Sequence, residues 1–338
     1  MTQAPTYDVC AVGNAIVDVL APCDPAFLTA QGLTAGSMQL VDAQQSAALY
    51  AAMAAGVEAS GGSAGNTVAG VGSFGGRAAY IGKVADDMLG GVFTHDIHAV
   101  GVHFETPPLH DGAAMGLATG VCMINVTPDG QRTMCTFLGA ANQLEAADID
   151  ADLIGASAIV YLEGYLFDPA PARVAFEAAA AAAHAAGRKV AITLSDTFVV
   201  ARWRAELLAF IEASADIVLA NEGELAALFE TDDFDAGASR LASMVDVAAI
   251  TRGESGSVVV SGDQRVAIAV VPVDKVVDTT GAGDQYAAGF LLGLARGLSL
   301  EDAGKLGSLA AAEVIAHWGP RPMTSLEKLA KDAGLTLE

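Results

Sequence analysis

Positive charge is scarce in this chain: 17 Lys and Arg stand against 40 Asp and Glu, a formal net charge of -23 over 338 residues. That balance argues against a nucleic-acid backbone or an anionic membrane surface as partner. It also requires that any phosphate-bearing ligand be held by backbone amides, a metal and a few placed cations. Cysteine is equally sparse. Cys10, Cys23, Cys122 and Cys135 form no CxxC spacing and no disulfide scaffold, so a reducing compartment is expected. No apolar run reaches the ~18 to 20 residues of a membrane span, and the opening MTQAPTYDVC has no basic n-region. A soluble cytoplasmic protein is expected. Three common signatures are missing as well. The first strand runs into GNAIVD, which lacks the glycines that seat a dinucleotide pyrophosphate; GGSAGNT has Asn where a P-loop needs Lys; and the six histidines form no HExxH.

What is present is an alternation. Short, largely apolar segments at 8–13, 78–84, 158–162, 189–194, 216–220 and 247–251 read as buried strands, and Ala-rich stretches at about 43–57 and 171–187 read as helices. Strands of this kind interleaved with helices predict an α/β fold, a doubly wound, mostly parallel sheet flanked by helices, in a single domain spanning 1–338. One region departs from the pattern. Residues 115–137 read as two strands joined by Thr127-Pro-Asp-Gly130. A turn symmetric about the midpoint of Pro128 and Asp129 sets Cys122 opposite Cys135, as a reduced apolar pair or, in the alternative, a redox latch. With the polar segment that follows the first strand, this hairpin predicts a small β-rich lid made of two insertions, about 14–42 and 106–140.

The chemistry concentrates at 275–296, KVVDTTGAGDQYAAGFLLGLAR. A strand end leads into Asp278-Thr-Thr, then Gly281, Ala282 and Gly283, then Asp284, after which apolar residues recur at helical spacing. The free N–H groups of 281–284 at a helix N-terminus form an anion cradle that needs no cationic side chain. Asp284 adds a proton acceptor. Alone it reads as an ordinary helix cap; beside that cradle it suits phosphoryl transfer, which needs charge neutralisation and a base for the attacking hydroxyl.

The loop DTTGAGD resembles the active-site motif of the ribokinase superfamily of sugar and nucleoside kinases, and GGSAGNTVAGVGSFGGRAAYIGKVADDMLG at 61–90 resembles its second Gly-rich signature. The likeness spans essentially the whole chain and implies a ribokinase-like fold and an ATP- and Mg²⁺-dependent kinase of a small-molecule alcohol, monomeric or homodimeric. By the same resemblance Gly62, Ser63 and Asn66 line the acceptor pocket. Gly13-Asn14-Ala-Ile-Val-Asp18, the Ser-Met-Gln39-Leu segment and Gly130-Gln-Arg132 resemble adenosine kinases more than ribokinases or fructokinases. This implies Asp18 on the ribose hydroxyls, with Asn14 and Gln39 nearby, and Arg132 as a lid arginine on the transferring phosphate. Asn221 and Glu224 match an NxxE pattern whose acid organises water around Mg²⁺. Thr251, Gly253 and Gly256 resemble the nucleotide-side loop, and 308–317 is expected to border the ATP adenine. Two departures stand out: Gln285-Tyr286 follows the Asp where the family has smaller residues and Phe, and no ring is evident to stack on an adenine acceptor. The rival of another class is a non-catalytic nucleoside- or sugar-binding module.

Overall fold

The computed structural model describes residues 4–337; residues 1–3 and 338, the ends of the expected 1–338 unit, lie outside the described residues. A nine-stranded sheet forms the centre, in the spatial order Gln264–Ile268, Ser257–Ser261, Val247–Thr251, Ile217–Asn221, Lys189–Thr193, Ser157–Glu163, Tyr7–Val12, Ala78–Ile81, His103–Phe104. The last seven of these run parallel, and the first two join as an antiparallel edge.

Alternate residues of each parallel strand enter two separate cores. Val9, Ala11, Ile159, Tyr161 and Leu219 face the helices Ser63–Ser73, Ala282–Ala295 and Leu300–Ile315. Cys10, Val12, Val160, Leu162 and Val218 face Ala170–Ala185, Thr197–Ser214 and Glu222–Phe229. Strands covered on both sides have no solvent face, which is why they read as continuous apolar runs. The family of carboxyl strand ends, at Val12, Glu163, Thr193, Asn221 and Thr251, lies along one margin of the sheet. Tyr7–Val12 sits where the strand order changes direction, between Ser157–Glu163 and Ala78–Ile81. Open sheets bind their ligands outside such ends. Among the described residues no helix is long and apolar enough to cross a membrane.

A second sheet of five strands, in the order Met38–Leu40, Arg132–Phe137, Gly120–Val126, Ile16–Pro22, Val57–Ser60, stands beside that margin. Its last strand corrects one expectation. The helix expected over 43–57 ends at Ala52, and Val57–Ser60 pairs antiparallel with Val17–Leu20. Pairing with a neighbouring strand has overridden the helical propensity of an Ala-rich stretch.

The hairpin closes one residue away from the expected register: Cys122 lies opposite Thr136, and Cys135 opposite Met123. The loop is centred on Asp129, with the Thr127 N–H donating to the Gln131 carbonyl at 3.0 Å and Gly130 supplying the left-handed residue at φ +85°. A three-residue loop of this kind has odd parity, and a one-residue slip moves a side chain to the other face. Cys122 is therefore buried on one face of the small sheet, with Ile16, Ile124 and Ala141, while Cys135 is buried on the other among Val17, Val19, Val121 and Met123. All four cysteines are free.

Candidate active site

Between the two sheets lies a cavity of about 470 Å³. Its floor is made by the carboxyl strand ends: Asn14 just past the first strand, Glu163, Thr193, Asn221 and Thr251. One face of the small sheet forms a wall, with Ile16, Asp18, Met38, Cys122, Ile124 and Met134 on it. The far end is closed by Thr280, Gly281, Gly283 and Asp284.

Asp284 stands in the first turn of the helix Ala282–Ala295, whose N-cap is Gly281. Gly281 has φ +79°, and a Cβ there would lie 2.6 Å from the Pro320 Cα, so neither the backbone angle nor the space admits a side chain. Among the described residues the N–H groups of Gly281, Gly283 and Asp284 have no protein partner, whereas that of Ala282 donates to the Thr279 carbonyl at 3.2 Å. Three of the four expected cradle amides are thus available to an anion.

The Asp284 carboxylate is held from across the site. Ser63 Oγ donates to its Oδ1 at 2.6 Å and Asn66 Nδ2 to its Oδ2 at 3.2 Å. Burial pushes its pKa up to about 6, against the lowering effect of those two donors. A carboxylate at that value is ionised at neutral pH yet a better base than a solvated Asp.

Ser63 and Asn66 belong to one helix, Ser63–Ser73, whose N-cap Gly62 offers no side chain to its amides. Glu163 replaces it. This buried carboxylate accepts from the Ala64 N–H at 2.9 Å and from Asn14 Nδ2 at 2.7 Å, so one anion fixes both the helix start and Asn14. Burial raises its pKa to about 7, opposed by the Ala64 and Asn14 donors. Asp18 is also raised to about 7 by burial, with Arg321 pulling it down and Asp284 pushing it up.

Arg132 is docked on the anion loop. It forms a buried ion pair with Asp278, donates to Thr280 Oγ1 at 3.1 Å, and lies 5.2 Å from the Trp318 ring centre. Removing this pair from water lowers its pKa, with Asp278 opposing the shift. Asn221 and Glu224 form a reciprocal capping box: Asn221 Oδ1 accepts from the Glu224 N–H at 2.8 Å, and Glu224 Oε2 accepts from the Asn221 N–H at 2.9 Å, with Asn221 Nδ2 donating to Oε1 at 2.6 Å. Burial raises Glu224 to about 7, opposed by the Asn221 N–H. The residue lines the cavity with lone pairs to spare for a hydrated cation.

Several expected site residues lie elsewhere. Gln39 is not on the cavity wall: Met38 and Leu40 line it, and the side chain between them points back to donate to Cys135 Sγ at 3.7 Å. Strand alternation is the reason. Gly253 and Gly256, in the turn after Thr251, and Ala282 are off the wall, as is all of 308–317, most of it inside the helix Leu300–Ile315. Gln285, flagged as unusual, is buried and donates to the carbonyls of Asn66 (2.9 Å) and Pro320 (3.0 Å), tying the two site helices together. Tyr286 meets Ser257 Oγ at 2.7 Å.

Sequence reasoning missed Glu163 and Arg321. The first carried a signal, an acid closing the apolar run AIVYLE; the second, a lone cation in GPRP, carried none. The aromatic rings on the cavity wall are Tyr161, Tyr165, Phe198 and Tyr286.

Comparison with known proteins adds a lineage to this geometry. The model for pfkB family carbohydrate kinases matches residues 30–327. The chain is 52% identical to the solved adenosine kinase from Sinorhizobium meliloti, covering 97% of this chain and 99% of that one, with a TM-score of 0.89. It is 47% identical to the solved probable sugar kinase protein from Rhizobium etli CFN 42, over 98% and 100%, with a TM-score of 0.90. The adenosine kinase of Saccharomyces cerevisiae is 28% identical over 93% of this chain and 96% of its own length.

Proposed function

The chain belongs to the pfkB family of carbohydrate kinases and is a phosphotransferase with an alcohol acceptor; from that premise we propose that it transfers the γ-phosphoryl group of ATP to the 5′-hydroxyl of a purine nucleoside, adenosine first. The observation that carries a nucleoside over a bare sugar is the wall around Asp18. Ile16, Met38, Leu40, Ile124, Met134 and Leu138 line the cavity beside that carboxylate, and Met38 and Leu40 stand 42% and 58% exposed. A ribose alone leaves this apolar surface in water, whereas a purine covers it. The 52% identity to an adenosine kinase supports the same choice.

In this reading Asp18 accepts the two ribose hydroxyls, with Asn14 and Asn66 at the sugar. The 5′-oxygen attacks the γ-phosphorus, the bond to the β-phosphate oxygen breaks, and the proton passes to Asp284. Products are ADP and the nucleoside 5′-monophosphate. The free amides of Gly281, Gly283 and Asp284 hold the phosphoryl oxygens, and Arg132, anchored at Asp278 and Thr280, adds positive charge beside them. In the same reading the nucleotide lies toward Asn221 and Thr251, which line the cavity floor. Mg²⁺ on the nucleotide, with Glu224 placed to hold one of its waters, supplies further charge neutralisation when bound. The small sheet, as a lid, excludes water and so suppresses ATP hydrolysis.

The test is ATP turnover with adenosine, inosine, guanosine, ribose and fructose, with the products identified. Adenosine should give AMP with kcat/KM at least ~10²-fold above either sugar. Preferred phosphorylation of ribose or fructose makes the enzyme a sugar kinase, and binding without product makes it a binding module.

A further inference from the structure

The segment after the last long helix, His317–Arg321, runs beneath the acid–base end of the site. The Gly319 N–H donates to Asp278 Oδ2 at 3.1 Å, and Trp318 covers Arg132. Arg321 reaches furthest. Its Nη2 donates to Ser60 Oγ at 2.7 Å, its Nη1 to Asp96 Oδ2 at 3.1 Å, and its Nε to Asn66 Oδ1 at 3.4 Å. The same Asn66 amide donates its Nδ2 to Asp284.

An Asn amide carries an acceptor on one branch and a donor on the other, and a half-turn exchanges them. A guanidinium has N–H donors only. Facing Arg321, the amide can satisfy both neighbours in one orientation, oxygen to the guanidinium and NH₂ to the carboxylate. The reverse sets two donors together on one side and two oxygens on the other.

We infer that Arg321 is a positioning residue, which locks the Asn66 amide with its NH₂ toward Asp284 and so keeps the catalytic base ionised. This deepens the reading of Asp284 as the base and rests on it. The surroundings make such a lock necessary. Asp284 is buried in a cavity that it shares with the acids Glu163 and Asp18, whose carboxyls its own charge raises, and carboxylates held this close in a buried site favour the protonated form. Ser63 and Asn66 are the donors that oppose this. Arg321 itself faces Asp96, Asp18 and Tyr80, and Arg132 is the other cation acting on Asp18.

The experiment is the single-turnover rate of transfer to adenosine at saturating nucleoside and ATP-Mg, from about pH 5 to about pH 9. It compares the parent, Arg321→Met and Arg321→Met/Asp96→Asn. The double variant removes one charge of each sign, so Asp96 is not left as an uncompensated anion and the net charge near Asp284 is unchanged. The acidic limb should rise by about one pH unit in both variants, with the rate near pH 6 down about fivefold and the alkaline plateau within about threefold of the parent. A limb in the double variant within about 0.2 unit of the parent, or an equal loss at every pH, overturns the inference. Asp284→Asn run beside them separates the two claims: near-parent transfer in that variant removes the base reading itself, whereas its loss with an unmoved limb in the double variant removes only the role of Arg321.

Discussion

Asp18 and Asp284 face one cavity and must both be anionic for the proposed reaction, yet burial holds them near about 7 and about 6. The free enzyme should therefore gain kcat/KM for its nucleoside as pH rises through about 6 to 7. Asp18→Asn keeps the shape but weakens the charge-assisted contact with two hydroxyls. Its KM for adenosine should rise at least ~10-fold with kcat changed far less; an unaltered KM places the ribose elsewhere. At this scale the sequence spoke only where chemistry is written locally. Asp284 follows its glycines directly, so its place at the start of a helix, beside an anion cradle, was legible in seven consecutive residues. Arg321 reaches Asn66 across 255 positions and Glu163 caps a helix start 99 positions away, and no local pattern encodes such contacts.

Elements were legible by burial and blurred by parity. The apolar runs named six strands of the large sheet because both of their faces are covered. The hairpin was found by its turn residues, but the choice between a two- and a three-residue loop decides which face every side chain takes, and Thr-Pro-Asp-Gly is compatible with either. Gln39 failed for the same reason: a three-residue strand exposes its ends to the cavity and its middle to the core. With Cys122 and Cys135 on opposite faces, intact mass after alkylation should show four labelled thiols with and without reductant; a two-thiol deficit without reductant contradicts the register. The Gly281 turn gives a second check at this scale. Gly281→Ala meets both a positive φ and Pro320, so it should cost about 1–3 kcal/mol of stability and slow turnover. A denaturation midpoint equal to the parent's contradicts that packing.

The whole molecule is strongly acidic, and four of its carboxyls, Asp18, Glu163, Glu224 and Asp284, are raised to between about 6 and about 7 by burial. A carboxyl whose folded pKa exceeds its unfolded value binds a proton preferentially in the native state. Its contribution is present at low pH and is lost as pH rises through the folded value. The ligand-free protein should thus melt at higher temperature near pH 5.5 than near pH 8, and protonation also relieves self-repulsion in a chain of charge -23. A thermal midpoint that falls between pH 8 and pH 5.5 contradicts the burial of these groups. Tension of this kind is usual at sites where stability yields to function. The alternation of strands and helices made the architecture readable from the sequence; the small sheet's fifth strand at 57–60 was not, because it depends on a neighbour the sequence does not name. The most direct test of the whole account is transfer from ATP to adenosine by Asp284→Asn. The account predicts a kcat at least ~10²-fold below the parent with adenosine binding unchanged, and near-parent turnover contradicts it.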